Sequence, residues 1–185
     1  MSQLKIAVVV GSLRKESHNK ALAAAIVKLG PPDVTFETIP IDDLPLYNQD
    51  DDGAQAPQVV RLKKAIGASS GVIFVTPEYN RSIPGVLKNA LDHASRPYGQ
   101  SAWGGKPAGV LGITIGTIGT ACAQQHLRTI LAYLDMPTLG QPEVFLTVKE
   151  GFFDASGAIA SDGTKKFLQG WMDTYLAFVK KHTKA

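Results

Sequence analysis

The chain has 185 residues, 44% hydrophobic and 19% charged, and 19 Lys and Arg against 16 Asp and Glu give it a net charge of +3. That composition excludes disorder over most of the length. The charge is too small to argue for nucleic acid, and no apolar run approaches the ~18 residues of a membrane span. Mild basicity suits phosphorylated small molecules as ligands. The one cysteine, Cys122, excludes an internal disulfide and a cysteine-built metal site, so a cytoplasmic setting is expected.

In chain order, the residue pattern predicts a strand over Leu4–Val10, a helix over Ser17–Leu29, a strand over Val34–Ile39 and a helix over Pro57–Ala68. A strand over Gly71–Thr76, a helix over Pro84–Ser95, a strand over Ala108–Thr114 and a helix over Thr120–Leu134 follow. The pattern closes with a strand over Glu143–Val148 and a helix over Asp162–Lys181. The opening run is expected to be a strand and not a signal peptide, since no cleavage pattern follows it. Continuous runs such as Ile6-Ala7-Val8-Val9-Val10 suit strands buried on both faces. Five strand-then-helix pairs predict an α/β fold, with helices on both sides of a parallel sheet. No repeat or linker divides the chain, so residues 1–185 are expected to form a single domain. In the last helix, Phe167, Trp171, Tyr175 and Val179, with Leu168, Met172 and Leu176, form a stripe read as core packing.

Ligands on such sheets bind outside the carboxyl ends of the strands. Three loops leave those ends. The first, Gly11-Ser12-Leu13-Arg14-Lys15-Glu16-Ser17-His18-Asn19, passes from strand to helix. Glycine permits the sharp turn. Two serines offer hydroxyls, Arg14 offers a planar fork of donors, and a helix beginning at Ser17 or His18 offers free N–H groups. Together they read as a phosphate cradle. Neither Gly-x-x-x-x-Gly-Lys-Ser/Thr nor Gly-x-Gly-x-x-Gly is present, so a mononucleotide fits better than a P-loop substrate or a tightly held dinucleotide.

The second loop, Thr76-Pro77-Glu78-Tyr79-Asn80-Arg81-Ser82-Ile83-Pro84-Gly85, is stiffened by two prolines. It can hold the edge of a planar heterocycle, or it can be a plain surface loop capped by Glu78 or Ser82. The third, Gly116-Thr117-Ile118-Gly119, lets the backbone approach a ligand. His18, His93, His126 and His182 show no metal-ligand spacing, and no metal site is expected. Asp50-Asp51-Asp52 reads as a solvated loop. With no nucleophile or acid–base constellation, no catalytic side chain is assigned, and the chemistry is expected to belong to a bound cofactor.

At these residues the chain resembles a known family. Gly11-Ser12-Leu13-Arg14 with Ser17 and Asn19, and Pro77 through Gly85 with Leu87-Lys88-Asn89-Ala90 and Asp92, are similar to the NAD(P)H-dependent FMN reductases, flavodoxin-like quinone, azo-dye and chromate reductases. The likeness runs on through Gly116, Gly119 and His126-Leu127-Arg128 to Gln141-Pro142-Glu143. From about Gly151 onward it is one of texture only.

The resemblance implies a flavodoxin-like three-layer sandwich whose five-stranded parallel sheet has the order 2-1-3-4-5. It implies FMN bound without a covalent link and NADPH or NADH as electron donor. The phosphate would lie on Ser12, Arg14, Ser17, His18 and Asn19, and the ring on Pro77, Glu78, Tyr79, Asn80 and Ser82. Thr114 and Gly116 would approach the ribityl chain or the ring edge. Thr114-Ile115-Gly116 departs from the more serine-rich turn of relatives, which removes a hydrogen bond to the flavin. The expected mechanism is ping-pong, with hydride delivered across about 3–3.5 Å. Quinones, azo dyes or chromate then take the electrons. The family also implies a homodimer or homotetramer, with the loop at Leu46-Tyr47-Asn48 reaching a neighbour's flavin. The helix pattern over Thr120–Leu134 leaves His126, Arg128 and Tyr133 facing outward or a partner, and Arg128 is expected at a subunit contact. Two other readings, a flavodoxin-type electron carrier and a non-catalytic FMN-binding module, differ from this one in a single property: neither would oxidise NAD(P)H with a quinone in the absence of a partner protein.

Overall fold

A computed structural model describes residues 3–183. Its five strands are all parallel and lie in the order β2-β1-β3-β4-β5. They are β1 (Leu4–Val10), β2 (Val34–Thr38), β3 (Gly71–Val75), β4 (Ala108–Thr114) and β5 (Phe145–Thr147). The helices are α1 (His18–Val27), α2 (Pro57–Gly67), α3 (Gly85–Ala94), α4 (Ala121–Tyr133) and α5 (Asp162–His182). The flavodoxin-like order expected from the sequence is the order found.

β1 and β4 fall on their predicted bounds. β5 is shorter than Glu143–Val148; beside it the Val144 carbonyl accepts from Gln124 Nε2 at 2.7 Å, and the Val148 N–H still donates to the Thr114 carbonyl at 2.8 Å. Gln49–Asp51, read as loop, is a short 3₁₀ turn whose Asp50 N–H is accepted by the Asn48 side chain.

Successive strand residues point to opposite faces, and this divides the interior into two cores. Ile6, Val8, Val10, Ile73, Val75, Leu111 and Ile113 pack beneath α1 and α5. Ala7, Val9, Val72, Phe74, Ala108 and Val110 pack beneath α2, α3 and α4. α5 buries Leu168, Trp171, Met172, Tyr175, Leu176 and Val179, while Phe167, at the outer end of the predicted stripe, is exposed. Trp171 and Tyr175 stack with centroids 5.5 Å apart and planes 8° from parallel. They lie directly on Gly109 of β4, where an added Cβ would come within 2.9 Å of both rings. Trp171 is thus a core residue, as its spacing predicts. Trp103 occupies the other core, donating from Nε1 to the Leu91 carbonyl at 3.0 Å.

The sheet order reverses between β1 and β3. The loops after β1, β3 and β4 leave the same carboxyl edge, side by side, which is where an open parallel sheet leaves room for a ligand.

Candidate functional site

The first loop starts from a fixed point, since the Gly11 N–H donates to the Val75 carbonyl at 2.9 Å. Beyond it, the backbone N–H groups from Ser12 to His18 have no protein acceptor among the described residues. Ser12 is buried, yet its hydroxyl has no protein partner there either. Ser17 caps α1: its Oγ accepts from the N–H groups of Asn19 at 3.2 Å and Lys20 at 3.3 Å, which leaves its own proton free to donate outward. Arg14 is exposed and takes part in no ion pair among the described residues. A run of free N–H groups, a helix N-terminus, two hydroxyl donors and an unpaired arginine lie in one loop, which is a donor set suited to a phosphate.

Asn19 does not belong to that set. Its Nδ2 donates to the Ile113 carbonyl at 2.8 Å and its Oδ1 accepts the Ile113 N–H at 3.1 Å. The side chain is buried and turned toward β4, where it ties α1 to the sheet.

The second loop is a tight hairpin. Tyr79 and Ser82 exchange both backbone hydrogen bonds at 3.0 Å, and Asn80 and Arg81 between them have φ of 52° and 66°. Positive φ at both central residues is the type I′ pattern. The N–H groups of Glu78, Asn80 and Arg81 are left without protein acceptors among the described residues. Tyr79 stands 47% exposed at the crest.

Two side chains expected to line the ring are engaged elsewhere. Glu78 Oε2 accepts the Ala123 N–H at 3.1 Å, and its Oε1 meets Arg81 Nη1 at 3.3 Å. Ser82 Oγ pairs with His126 Nδ1 at 3.0 Å. Among the described residues, Glu78 keeps a free backbone N–H for a ligand, whereas both backbone groups of Ser82 are already paired with Tyr79. Thr76, fully buried, donates to the Pro77 carbonyl at 2.8 Å and stiffens the start of the loop.

The third loop is pinned at its base, where Thr114 Oγ1 accepts the Gly116 N–H at 3.4 Å and Thr147 Oγ1 donates to the Gly116 carbonyl at 3.2 Å. A Cβ on Gly116 would meet no protein atom within 4 Å. Packing does not require glycine there, and the backbone is open to an approaching molecule. Ile115 beside it is 79% exposed. The donor set of the first loop, the free N–H groups of the second and the open backbone of the third fit a phosphorylated planar mononucleotide such as FMN.

On α4, Leu127 and Leu131 are fully buried against the sheet, while His126 and Tyr133 face outward. Arg128 lies along its own chain: Nη1 donates to the Leu139 carbonyl at 2.7 Å, and Nε lies 3.9 Å from Glu143 Oε1. Burial lowers its pKa, and the Glu143 charge opposes that shift.

Residues 4–151 match the family model for NADPH-dependent FMN reductases. The chain is 54% identical to the 2-hydroxy-1,4-benzoquinone reductase of a Burkholderia species, over 96% of this chain and 97% of that one. It is 47% identical to a quinone reductase of Pseudomonas putida, over 97% of each. Its fold superposes with a TM-score of 0.93 on FerB, a flavoenzyme NAD(P)H:(acceptor) oxidoreductase from Paracoccus denitrificans. That chain is 42% identical, and the match covers 97% of this chain and 98% of FerB.

Proposed function

The chain belongs to the NADPH-dependent FMN reductase family, and from that premise we propose that it reduces quinones with electrons from NAD(P)H. Its cofactor is FMN and its donor NAD(P)H. When bound, FMN supplies the two-electron chemistry. The chain supplies binding and placement. Ser12, Ser17, Arg14 and the free N–H groups from Ser12 to His18 hold the phosphate. The N–H groups of Glu78, Asn80 and Arg81 hold the ring edge, and Gly116 leaves space along the third loop. Tyr79 forms one wall of the space in which a flat acceptor stacks. No side chain is needed as an obligatory acid or base.

The observation that carries this reading is the run of N–H groups leading into α1 that have no acceptor among the described residues, with Arg14 in the same loop. Two relatives named for quinone substrates, 54% and 47% identical over nearly the whole chain, support quinones as the acceptor class.

The active unit is a homo-oligomer, at least a dimer, with the Leu46-Tyr47-Asn48 segment beside the neighbour's flavin. The shape of that segment supports this. Asn89 accepts the Tyr47 N–H at 2.8 Å and donates to the Pro45 carbonyl at 2.8 Å, and His93 Nε2 lies 2.8 Å from the same carbonyl. The segment is held firm with Leu46 86% exposed at its crest. An unpaired Cys122 and a soluble nucleotide as donor support a cytoplasmic setting.

The test is direct. The purified yellow protein should oxidise NAD(P)H with a quinone and no partner protein. If its flavin stays oxidised under excess NADPH and excess NADH, the reading fails.

A further inference from the structure

α4 begins without a cap of its own. The residue before its first turn, Thr120, has φ +71° and directs Oγ1 away from the helix's free N–H groups, to accept from Gln124 Nε2 at 2.9 Å. A helix start normally carries a side-chain acceptor for its orphan N–H groups. Here the acceptor comes from another loop. Glu78 Oε2 receives the Ala123 N–H at 3.1 Å, with its side chain only 6% exposed. A carboxylate suits that end of a helix, where partial positive charge accumulates. Three residues on, and on the same helix face, His126 Nδ1 meets Ser82 Oγ at 3.0 Å. No backbone hydrogen bond joins residues 77–84 to residues 115–120 among the described residues. The second loop is therefore fastened, through two side-chain clasps, to the helix that ends the third.

We propose that Glu78 is a positioning residue: by capping α4 in place of Thr120, it joins the second and third loops into one wall that is formed before any flavin arrives. This rests on the reading that both loops face FMN. The wall's rigidity is a property of the chain alone and is measurable without the cofactor.

The experiment compares wild type with Glu78→Ala, Glu78→Gln and Glu78→Asp. Hydrogen exchange of the apoprotein is followed by mass spectrometry, and FMN binding and the absorbance of the bound flavin are measured on each. Glu78→Ala should speed exchange both in residues 78–84 and in the first turn of α4, and should weaken FMN binding by about tenfold or more. Glu78→Gln keeps an oxygen at the same reach and should restore most of both. Glu78→Asp keeps the charge but shortens the reach, so it should behave like Glu78→Ala and shift the flavin absorbance. Faster exchange confined to α4, with FMN affinity and absorbance unchanged, overturns the proposal and leaves Glu78 a helix cap. So does wild-type behaviour of Glu78→Asp. If Glu78→Ala does not fold, the contrast between Asp and Gln decides. A wild type that binds no FMN removes the functional reading, while the exchange data still decide whether the loops are coupled.

Discussion

The side-chain amide of Asn19 satisfies both backbone groups of Ile113, donating to its carbonyl and accepting its N–H. The pair joins the first turn of α1 to β4, two positions along the sheet from the strand that α1 follows. It fixes the end of the first loop against the sheet.

Asn19→Leu would strand both Ile113 groups in a buried site. Each unpaired group costs about 1–3 kcal/mol, so the apoprotein should lose roughly 2–6 kcal/mol. Urea unfolding of the apoprotein measures this. Asn19→Asp can still accept but not donate, and should fall between the two. A loss of FMN affinity at unchanged stability would instead return Asn19 to the phosphate.

Arg14 has no partner among the described residues to lose, so Arg14→Ala should leave the fold intact. Removing a charge-assisted hydrogen bond of about 1.5–3 kcal/mol should weaken FMN binding by roughly 10- to 150-fold. Riboflavin, which lacks the phosphate, should bind wild type and variant alike. Fluorescence titration with both flavins gives the comparison, and equal wild-type affinity for the two would sink the phosphate assignment.

Tyr79→Ala should keep the yellow colour and raise the Michaelis constant for a quinone by roughly threefold to tenfold, the equivalent of an aromatic contact of about 0.5–1.5 kcal/mol. Bleaching of the flavin by NAD(P)H without acceptor should change less. Stopped-flow absorbance with and without quinone separates the two.

An added Cβ at Gly112 would lie 2.2 Å from the Thr76 carbonyl oxygen and 2.4 Å from Thr120 Oγ1. Gly112→Ala must push the second loop away from the start of α4. Overpacking of this kind costs about 1–3 kcal/mol. The melting temperature should drop by roughly 2–12 °C, with weaker FMN binding because both displaced elements border the site.

Light scattering at micromolar concentration should give a mass at least twice the 19.7 kDa of one chain. A mass of one chain would remove the neighbour from the active unit. Leu46→Asp, which places a charge on the exposed crest, should shift the equilibrium toward that smaller species.

The frame of the fold is legible because each strand and helix announces itself within its own few residues. The buried run of β1, the Ser17 cap and the 3- and 4-residue spacing of α5 are local signals. The donor set proposed for the phosphate is legible for the same reason, since its residues sit in one loop. Asn19, Glu78 and Ser82 were assigned to the cofactor by motif, and their side chains turned out to be engaged at 94, 45 and 44 residues' distance along the chain. Nothing near Glu78 signals that Thr120 will take a positive φ and leave a helix uncapped. Such partnerships are decided only when the loops meet in space.

The placement of the two tryptophans has a practical consequence. Trp103 lies in one layer of the sandwich and Trp171 in the other, both almost wholly screened from water. Each blanket of helices therefore has its own fluorophore. A protein keeping only Trp171 reports on α1 and α5, and one keeping only Trp103 reports on α2, α3 and α4. Melting curves from the pair would show whether the two sides of the sheet come loose together. Where the curves part, the side with the earlier curve has let go first.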